Sequence, residues 1–487
     1  MLTEQPNWLI QRAQLTPERI ALIFENKQMT FRELYHASKQ MAARLSKYCS
    51  LKKGDRAAIL LSNRPEMVYA VHACFLLGAE AVLLNTKLSK QERLFQLEDS
   101  QVKLLLTEDG FCRKEYESAV ATADVDELQA KAAEDMEPEA YVTLDDTATL
   151  MYTSGTTGRP KGVQQTFGNH YSSAVSSALN LGVTERDRWL IALPLFHISG
   201  LSALFKSVIY GMPVVLHQKF SVTDVLDSIS SHQVTIISAV QTMLSGLLAE
   251  TEQCPESLRC ILLGGGPAPL PLLEECRRKQ FPVFQSYGLT ETCSQIVTLS
   301  PEFSMDKLGS AGKPLFSCEI RIEKDGNPCA PFEHGEITVK GPNVMKGYYH
   351  RDDANQAAFH NGWFKTGDLG YLDDEGFLYV LDRRSDLIIS GGENIYPAEV
   401  EAALLAHPAV AEAGVSGAED PKWGKVPHAF LVLTSSVSSE ELTAFCRERL
   451  AKYKIPAAFF EVDGLPRNAS NKLMRHRLNE LRKGELS

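Results

Sequence analysis

Ten consecutive residues, Thr153-Ser154-Gly155-Thr156-Thr157-Gly158-Arg159-Pro160-Lys161-Gly162, put three glycines, four hydroxyls and two cations into one turn. Glycine lets a backbone approach an anion and take positive φ, the freed N–H groups and hydroxyls donate to phosphate oxygens, and Lys161 adds a point charge. A β-like run, Thr149-Leu150-Met151-Tyr152, leads into the loop. That places a phosphate grip at the end of a strand, where α/β sheets bind their ligands. The spacing does not match the GxxxxGK[ST] P-loop, because Gly155 and Gly158 lie too close together and Gly162 follows the lysine. The reading therefore moves away from kinase-type and GTPase-type folds.

The remaining pattern supports an α/β fold. β-like runs at Ala57–Leu61, Ala81–Leu84, Lys103–Leu106, Trp189–Leu193, Val214–Leu216, Val234–Ser238 and Arg259–Leu263 alternate with helical stretches such as Arg64–Leu77. Alternation of this kind predicts mainly parallel sheets flanked by helices. The acidic, alanine-rich stretch Ala119–Ala140 reads as a surface excursion. After Asp382 the elements are expected to shorten into an α+β module: a strand, a glycine turn and a helix opened by Pro397, then a capping box, Ser438-Ser439-Glu440-Glu441, starting a helix through Leu450. The expected domains are 1–381, a large N-terminal unit, and 382–487, a smaller mobile C-terminal unit. With 487 residues, 44% of them hydrophobic, both can hold proper cores.

Net charge of −11 argues against a nucleic-acid partner. The ten cysteines form no CxxC pair, and Cys74 and Cys260 sit in apolar runs, so they read as reduced core thiols. The N-terminal residues lack the basic and apolar regions of a signal peptide, and no apolar run reaches the ~18 residues of a membrane span. A cytoplasmic location is expected, and self-association into a homo-oligomer is left open.

Three further clusters carry nucleotide-type chemistry. In Gln285-Ser286-Tyr287-Gly288-Leu289-Thr290-Glu291-Thr292 an aromatic, a hydroxyl and a carboxylate fall within five residues. An aromatic face can stack on adenine, a hydroxyl can donate to a phosphate, and a hard carboxylate oxygen can hold Mg²⁺. In Lys365-Thr366-Gly367-Asp368 the carboxylate can accept ribose hydroxyls. Near the C-terminus, Leu465-Pro466-Arg467-Asn468-Ala469-Ser470-Asn471-Lys472-Leu473-Met474-Arg475 places one lysine in a short polar loop.

These motifs, in this order, resemble the adenylate-forming superfamily of acyl-CoA synthetases, peptide-synthetase adenylation domains and beetle luciferases. The resemblance covers essentially the whole chain. It implies that Thr153, Ser154, Gly155, Thr156, Thr157 and Lys161 handle the β- and γ-phosphates of ATP. It also implies that Tyr287 meets adenine, Thr290 the α-phosphate, Glu291 the magnesium, and Asp368 and Arg383 the ribose. Gly264, Gly265 and Gly266 correspond to a second adenine wall, and Gly288 borders both nucleotide and acyl group. Asp382 matches the hinge, Ser390, Gly391 and Gly392 approach CoA, and Lys472 bridges the substrate carboxylate and the α-phosphate. Asn471 stands where the family usually has glycine; Asn tolerates the left-handed region better than most residues, so the turn is expected to persist.

The acyl group must be read from less general residues. Pro194-Leu195-Phe196-His197-Ile198-Ser199-Gly200-Leu201-Ser202-Ala203-Leu204-Phe205-Lys206 combines an aromatic–apolar wall with two polar ends. The resemblance puts His197 at the border of the acyl pocket. A helix from Ser199 would set Ser202 and Lys206 on one face, four residues apart, where a cation can meet a second carboxylate. The alternative is an ordinary surface lysine. Pro6-Asn7-Trp8-Leu9, the PLFHISGLSAL segment and the run from Tyr287 to Pro301 resemble one branch, the ligases that join 2-succinylbenzoate to CoA in menaquinone biosynthesis. That substrate is an aromatic dicarboxylate. Other aryl- or medium-chain acyl-CoA synthetases share every ATP motif, and a non-catalytic nucleotide sensor would bind ATP without releasing pyrophosphate.

Overall fold

The computed structural model describes residues 3–482 except 112, 154–159, 266–267, 384–385, 391–392, 421–422, 451 and 469–471; of 382, 383, 389, 393 and 394 it describes the backbone alone. Among the described residues no helix is long and apolar enough to cross a membrane.

Two sheets dominate the first 380 residues. In the smaller, the strands Thr147–Thr153, Glu80–Leu83, Arg56–Leu60, Leu104–Thr107 and Ala121–Asp124 run parallel in that spatial order. The antiparallel strand Lys161–Thr166 adds to the first of these, and Gly347–Tyr348 follows it. The larger sheet has a parallel region, in which Ile20–Phe24, Val214–Leu216, Trp189–Ile191, Ile236–Val240, Cys260–Gly264 and Val283–Leu289 lie side by side. From Ser294–Leu299 onward it continues as antiparallel strands to Leu378–Arg383 and beyond.

Side-chain alternation along the parallel strands builds two cores. Trp189, Ile191, Ile236, Cys260 and Leu262 pack with helices Pro65–Leu77 and Ile198–Tyr210, while Leu190, Ile237, Ile261 and Leu263 pack on the opposite face. Burial raises the Cys74 and Cys260 thiols to about 12, as inert core thiols require. Helix Pro65–Leu77 is buried along almost its whole length, which explains why its sequence is nearly uniformly apolar.

Three sequence expectations need correction. The 119–140 stretch is not merely a surface excursion, since Ala121–Asp124 forms the edge strand of the smaller sheet. The elements after Asp382 do not shorten: Val410–Asp420 and Gly424–Leu433, eleven and ten residues long, form a hairpin over which Pro397–Leu405 packs. Alternation alone specifies which faces are buried, not strand length. Helix Ser439–Arg447 starts at the Ser438 cap, whose hydroxyl accepts from Glu441 N–H, but stops before Leu450. This last module has its own core of Ile388, Val400, Leu404, Val415, Ala429 and Leu442.

The starts of the parallel strands are tied down by one buried ion pair. Arg259 donates from Nε to Asp187 Oδ1 at 2.7 Å and from a terminal nitrogen to Oδ2 at 2.7 Å, while Thr235 O–H and Thr184 N–H satisfy the remaining carboxylate capacity. Burial alone would raise the Asp187 pKa, but these donors outweigh it and hold the group below its usual value. A depressed carboxyl pKa contributes stability above the unfolded value near ~3.9, and the contribution is lost as pH falls through the folded value. Asp187→Ala is expected to lower unfolding free energy by about 3 kcal/mol at neutral pH in chemical denaturation, and by less in acid.

Candidate active site

Strands Thr147–Thr153 and Lys161–Thr166 pair antiparallel with Thr153 opposite Lys161, and the expected phosphate-binding residues Ser154, Gly155, Thr156 and Thr157 lie outside the described set. Gln165, on the second of these strands, is fully buried. Its Oε1 accepts from Thr149 O–H at 2.8 Å and its Nε2 donates to the Thr290 carbonyl at 2.7 Å. This amide joins the smaller sheet to the larger one at the residue expected to meet the α-phosphate. Next to it, Tyr348 O–H donates to Glu291 Oε1 at 3.0 Å, and Lys161 Nζ lies 4.9 Å from the centre of the Tyr348 ring. Met345 N–H fixes the Glu291 carbonyl at 2.7 Å. Lys161 thus shares one neighbourhood with Thr290 and Glu291 from a distant part of the chain. Sequence reasoning missed Gln165 and Tyr348, since an isolated glutamine in a strand and a Gly-Tyr-Tyr segment carry no distance information.

The expected adenosine residues also meet. Tyr287 O–H donates to Asp368 Oδ2 at 2.7 Å, and the Asp368 side chain is buried. Asp368 pairs in register with Arg383 on the neighbouring strand, and Leu369 with Asp382. Gly264 ends its strand and Gly265 follows at φ +89°, while Gly266 lies outside the described residues. Gly288 occupies a bulge where an added Cβ would lie 2.1 Å from the Ser294 carbonyl oxygen. No larger residue fits there without moving the strand.

On the acyl side, helix Ile198–Tyr210 begins where expected, with His197 as its N-cap residue. A Cβ at Gly200 would lie 2.5 Å from the Pro194 carbonyl oxygen, so glycine lets the first turn pack against 193–194. Burial, with Lys87 adding to it, lowers the His197 pKa to about 4, so its imidazole is neutral at pH 7. Ser202 and Lys206 are both interior; Lys206 is 1% exposed, and the surface-lysine alternative does not hold. Its Nζ lies 5.1 Å from the Trp189 ring centre and has no hydrogen-bond partner among the described residues. Desolvation pushes its pKa down to about 7, only slightly opposed by the neighbouring Cys260 thiol. A buried ammonium without an acceptor is costly unless an anion arrives.

In the C-terminal module Lys472 is exposed. Its N–H donates to Asn468 Oδ1 at 2.9 Å, its carbonyl accepts from Asn468 N–H at 2.8 Å, and Arg467 bridges to Leu473. Asn471 lies outside the described residues. Arg475, three residues on, donates to both Glu401 oxygens at 2.8 and 2.7 Å and to Asp386 at 3.0 Å. Ser390 is buried at the end of its strand, opposite Glu393 and Gly424, and Gly391 and Gly392 lie outside the described set.

Residues 9–349 match the AMP-binding enzyme family and residues 399–472 its C-terminal domain, so the chain belongs to the AMP-binding enzymes. Within that class it is 98% identical, over the full length of both chains, to the 2-succinylbenzoate–CoA ligase of Bacillus velezensis. It is 77% identical to the 2-succinylbenzoate–CoA ligase of Bacillus subtilis, with all of both chains covered. Three solved structures of the Bacillus subtilis o-succinylbenzoate CoA synthetase, each 77% identical, are also similar. The complex with the acyl-adenylate intermediate fits with a TM-score of 0.97, covering 100% of both chains. The complex with ATP and magnesium fits at 0.95, covering 98% of this chain and all of the other. A double mutant bound with the product analogue OSB-NCoA fits at 0.80, covering 99% of this chain and all of the other.

Tyr348 supplies a test of the geometry. Tyr348→Phe removes the hydroxyl that orients Glu291 while keeping the ring beside Lys161. The expected result is a roughly tenfold loss of kcat/KM for Mg·ATP, measured by pyrophosphate release, with the fold intact by circular dichroism.

Proposed function

We infer that this protein is an AMP-forming 2-succinylbenzoate–CoA ligase of menaquinone biosynthesis. The succinyl carboxylate attacks the α-phosphorus of Mg·ATP, the bond to the β-phosphate oxygen breaks, and pyrophosphate leaves. The thiolate of CoA then attacks the acyl carbonyl of the adenylate, and AMP departs with its oxygen. No protein nucleophile is needed, which agrees with core cysteines whose thiols are held protonated by burial.

The roles of individual residues belong to the same reading. Thr153, Lys161 and the hydroxyl–glycine loop take the terminal phosphates, Thr290 the α-phosphate, Tyr287 and Gly264–Gly265 the adenine, and Asp368 with Arg383 the ribose. Magnesium suits Glu291: a small cation that prefers one or two carboxylates plus phosphate oxygens fits a single hydrogen-bonded carboxylate in the neighbourhood of Lys161. When bound it neutralises phosphate charge. Lys472 contributes a further charge at the transition state, and Ser390, Gly391 and Gly392 line the approach of CoA. Neutral His197 borders the acyl group as a hydrogen-bonding side chain, not as a cation. The chain divides at a hinge near Asp382 into units 1–381 and 382–487. The protein works in the cytoplasm, a location supported by nine described cysteines that are all unpaired.

The observation that carries the substrate is Lys206. The helix rises ~1.5 Å per residue, so Lys206 lies about 13 Å along the helix axis from His197. A buried cation at that distance matches the benzoate carboxylate, directly or through water, while the succinyl carboxylate stays at the phosphate end. Ser202, one turn earlier on the same helix face, borders the benzoate carboxylate.

Incubation with Mg·ATP, CoA and either 2-succinylbenzoate, benzoate or octanoate, followed by mass spectrometry, tests the reaction and its selectivity. 2-Succinylbenzoyl-CoA with stoichiometric pyrophosphate is the expected product; equal thioester from the monocarboxylates would overturn the substrate. Lys206→Ala is expected to raise KM for 2-succinylbenzoate about 30-fold, with KM for ATP unchanged. Lys472→Ala is expected to slow acyl-adenylate formation ~10²-fold in single turnover, and a normal rate would remove that assignment.

A further inference from the structure

The contact between the two modules is built on aromatic rings that the reaction chemistry does not use. On the N-terminal side, Tyr371 and Tyr379 are register partners stacked at 4.7 Å with planes 4° apart. His334 stacks on Tyr371 at 5.3 Å, and Phe332 leans on the same ring at 6.1 Å. Phe332 takes φ +65°, a left-handed conformation that is unfavourable for a bulky residue. The strain is carried in the loop that presents His334.

From the C-terminal module, Tyr396 closes over this stack. It is the residue before helix Pro397–Leu405 and is buried. Its ring meets the His334 imidazole edge-on at 5.7 Å, and its hydroxyl lies 3.4 Å from His334 Nδ1. The charged groups facing the imidazole from the same module are Glu399 and Lys454, which neutralise each other through two contacts of 2.6 and 2.7 Å. Burial and Lys454 keep the His334 pKa below its ordinary value, with Glu399 opposing, so the ring is neutral at pH 7.

At the same 77% identity, the acyl-adenylate complex of the relative fits this chain at a TM-score of 0.97 and the product-analogue complex at 0.80. The relative's two structures therefore differ in arrangement, and this chain has the one of the adenylate complex. Tyr396 lies six residues past Ser390 and directly before helix Pro397–Leu405, so any reorientation of this module moves the tyrosine with it.

We propose that His334 and Tyr396 are positioning residues: their interdomain contact holds the module in the arrangement that makes the acyl-adenylate and opens for the thioester step. This rests on the ligase reading above. The test measures the half-reactions separately in wild-type protein, His334→Ala and Tyr396→Phe. Adenylate formation is followed by rapid quench without CoA, thioester formation by supplying 2-succinylbenzoyl-AMP with CoA, and thermal melting is recorded alongside. Adenylate formation is expected to fall roughly fivefold or more in His334→Ala and less in Tyr396→Phe, which keeps the ring contact. Thioester formation and melting temperature are expected to stay at wild-type values or, for the thioester, to rise. Equal slowing of both steps, slowing of the thioester step alone, or no change in either overturns the proposal. If His334→Ala does not fold, Tyr396→Phe carries the same comparison. Wild-type protein that forms no adenylate would instead overturn the ligase reading.

Discussion

One desolvated charge carries the substrate reading that we propose. Lys206 lies under the Trp189 ring, away from water and from any acceptor among the described residues. Cation–π attraction offsets only a small part of the hydration it loses, so its charged form is weakened until a carboxylate arrives. The surrounding fold makes this unavoidable. Helix Ile198–Tyr210 is pressed onto the parallel sheet, and its ninth residue, Lys206, meets Trp189 of the face formed by Trp189, Ile236, Cys260 and Leu262. An aromatic acid with a second carboxylate satisfies the cation, and a monocarboxylate leaves it bare.

The residues we assign to the nucleotide face the opposite problem, that of stabilising several negative charges, and come from distant segments. Gln165 carries the second strand of the Thr147–Thr166 pair onto Thr290, which follows strand Val283–Leu289 of the larger sheet, and Tyr348 links Lys161 to Glu291. Preorganised polar groups of this kind act without reorganising when charge develops. The parallel strands are short, and in α/β sheets the carboxyl ends of such strands are the usual place for ligands.

Much of this was legible in the chain. The β–α alternation located seven of the parallel strands to within two residues but not Ile20–Phe24, Ala121–Asp124 or Val283–Leu289, and Pro397 opens a helix as expected. The resemblance assigned Tyr287 to adenine and Asp368 to ribose, and in the structure these two side chains share a hydrogen bond. Long-range closure was not legible. Neither the Gln165 bridge nor the Tyr348 hydroxyl has a local signature, because each matters only once two sheets are in contact. The antiparallel half of the large sheet and the long C-terminal hairpin were missed, since residue alternation does not distinguish strand direction or length. Lys206 was legible as a position on a helix face, whereas its burial depended on the packing of Trp189 from another strand.

The most direct test is whether Lys206 takes up a proton when the substrate binds. With a free-enzyme pKa of about 7, the lysine is mostly neutral at pH 8, and a carboxylate placed against it raises that value. Titration calorimetry of 2-succinylbenzoate binding at pH 8, repeated in buffers of different ionisation enthalpy, reads the proton directly. The account predicts uptake of most of one proton by wild-type protein and none by Lys206→Met. A binding enthalpy independent of buffer in wild-type protein would contradict it.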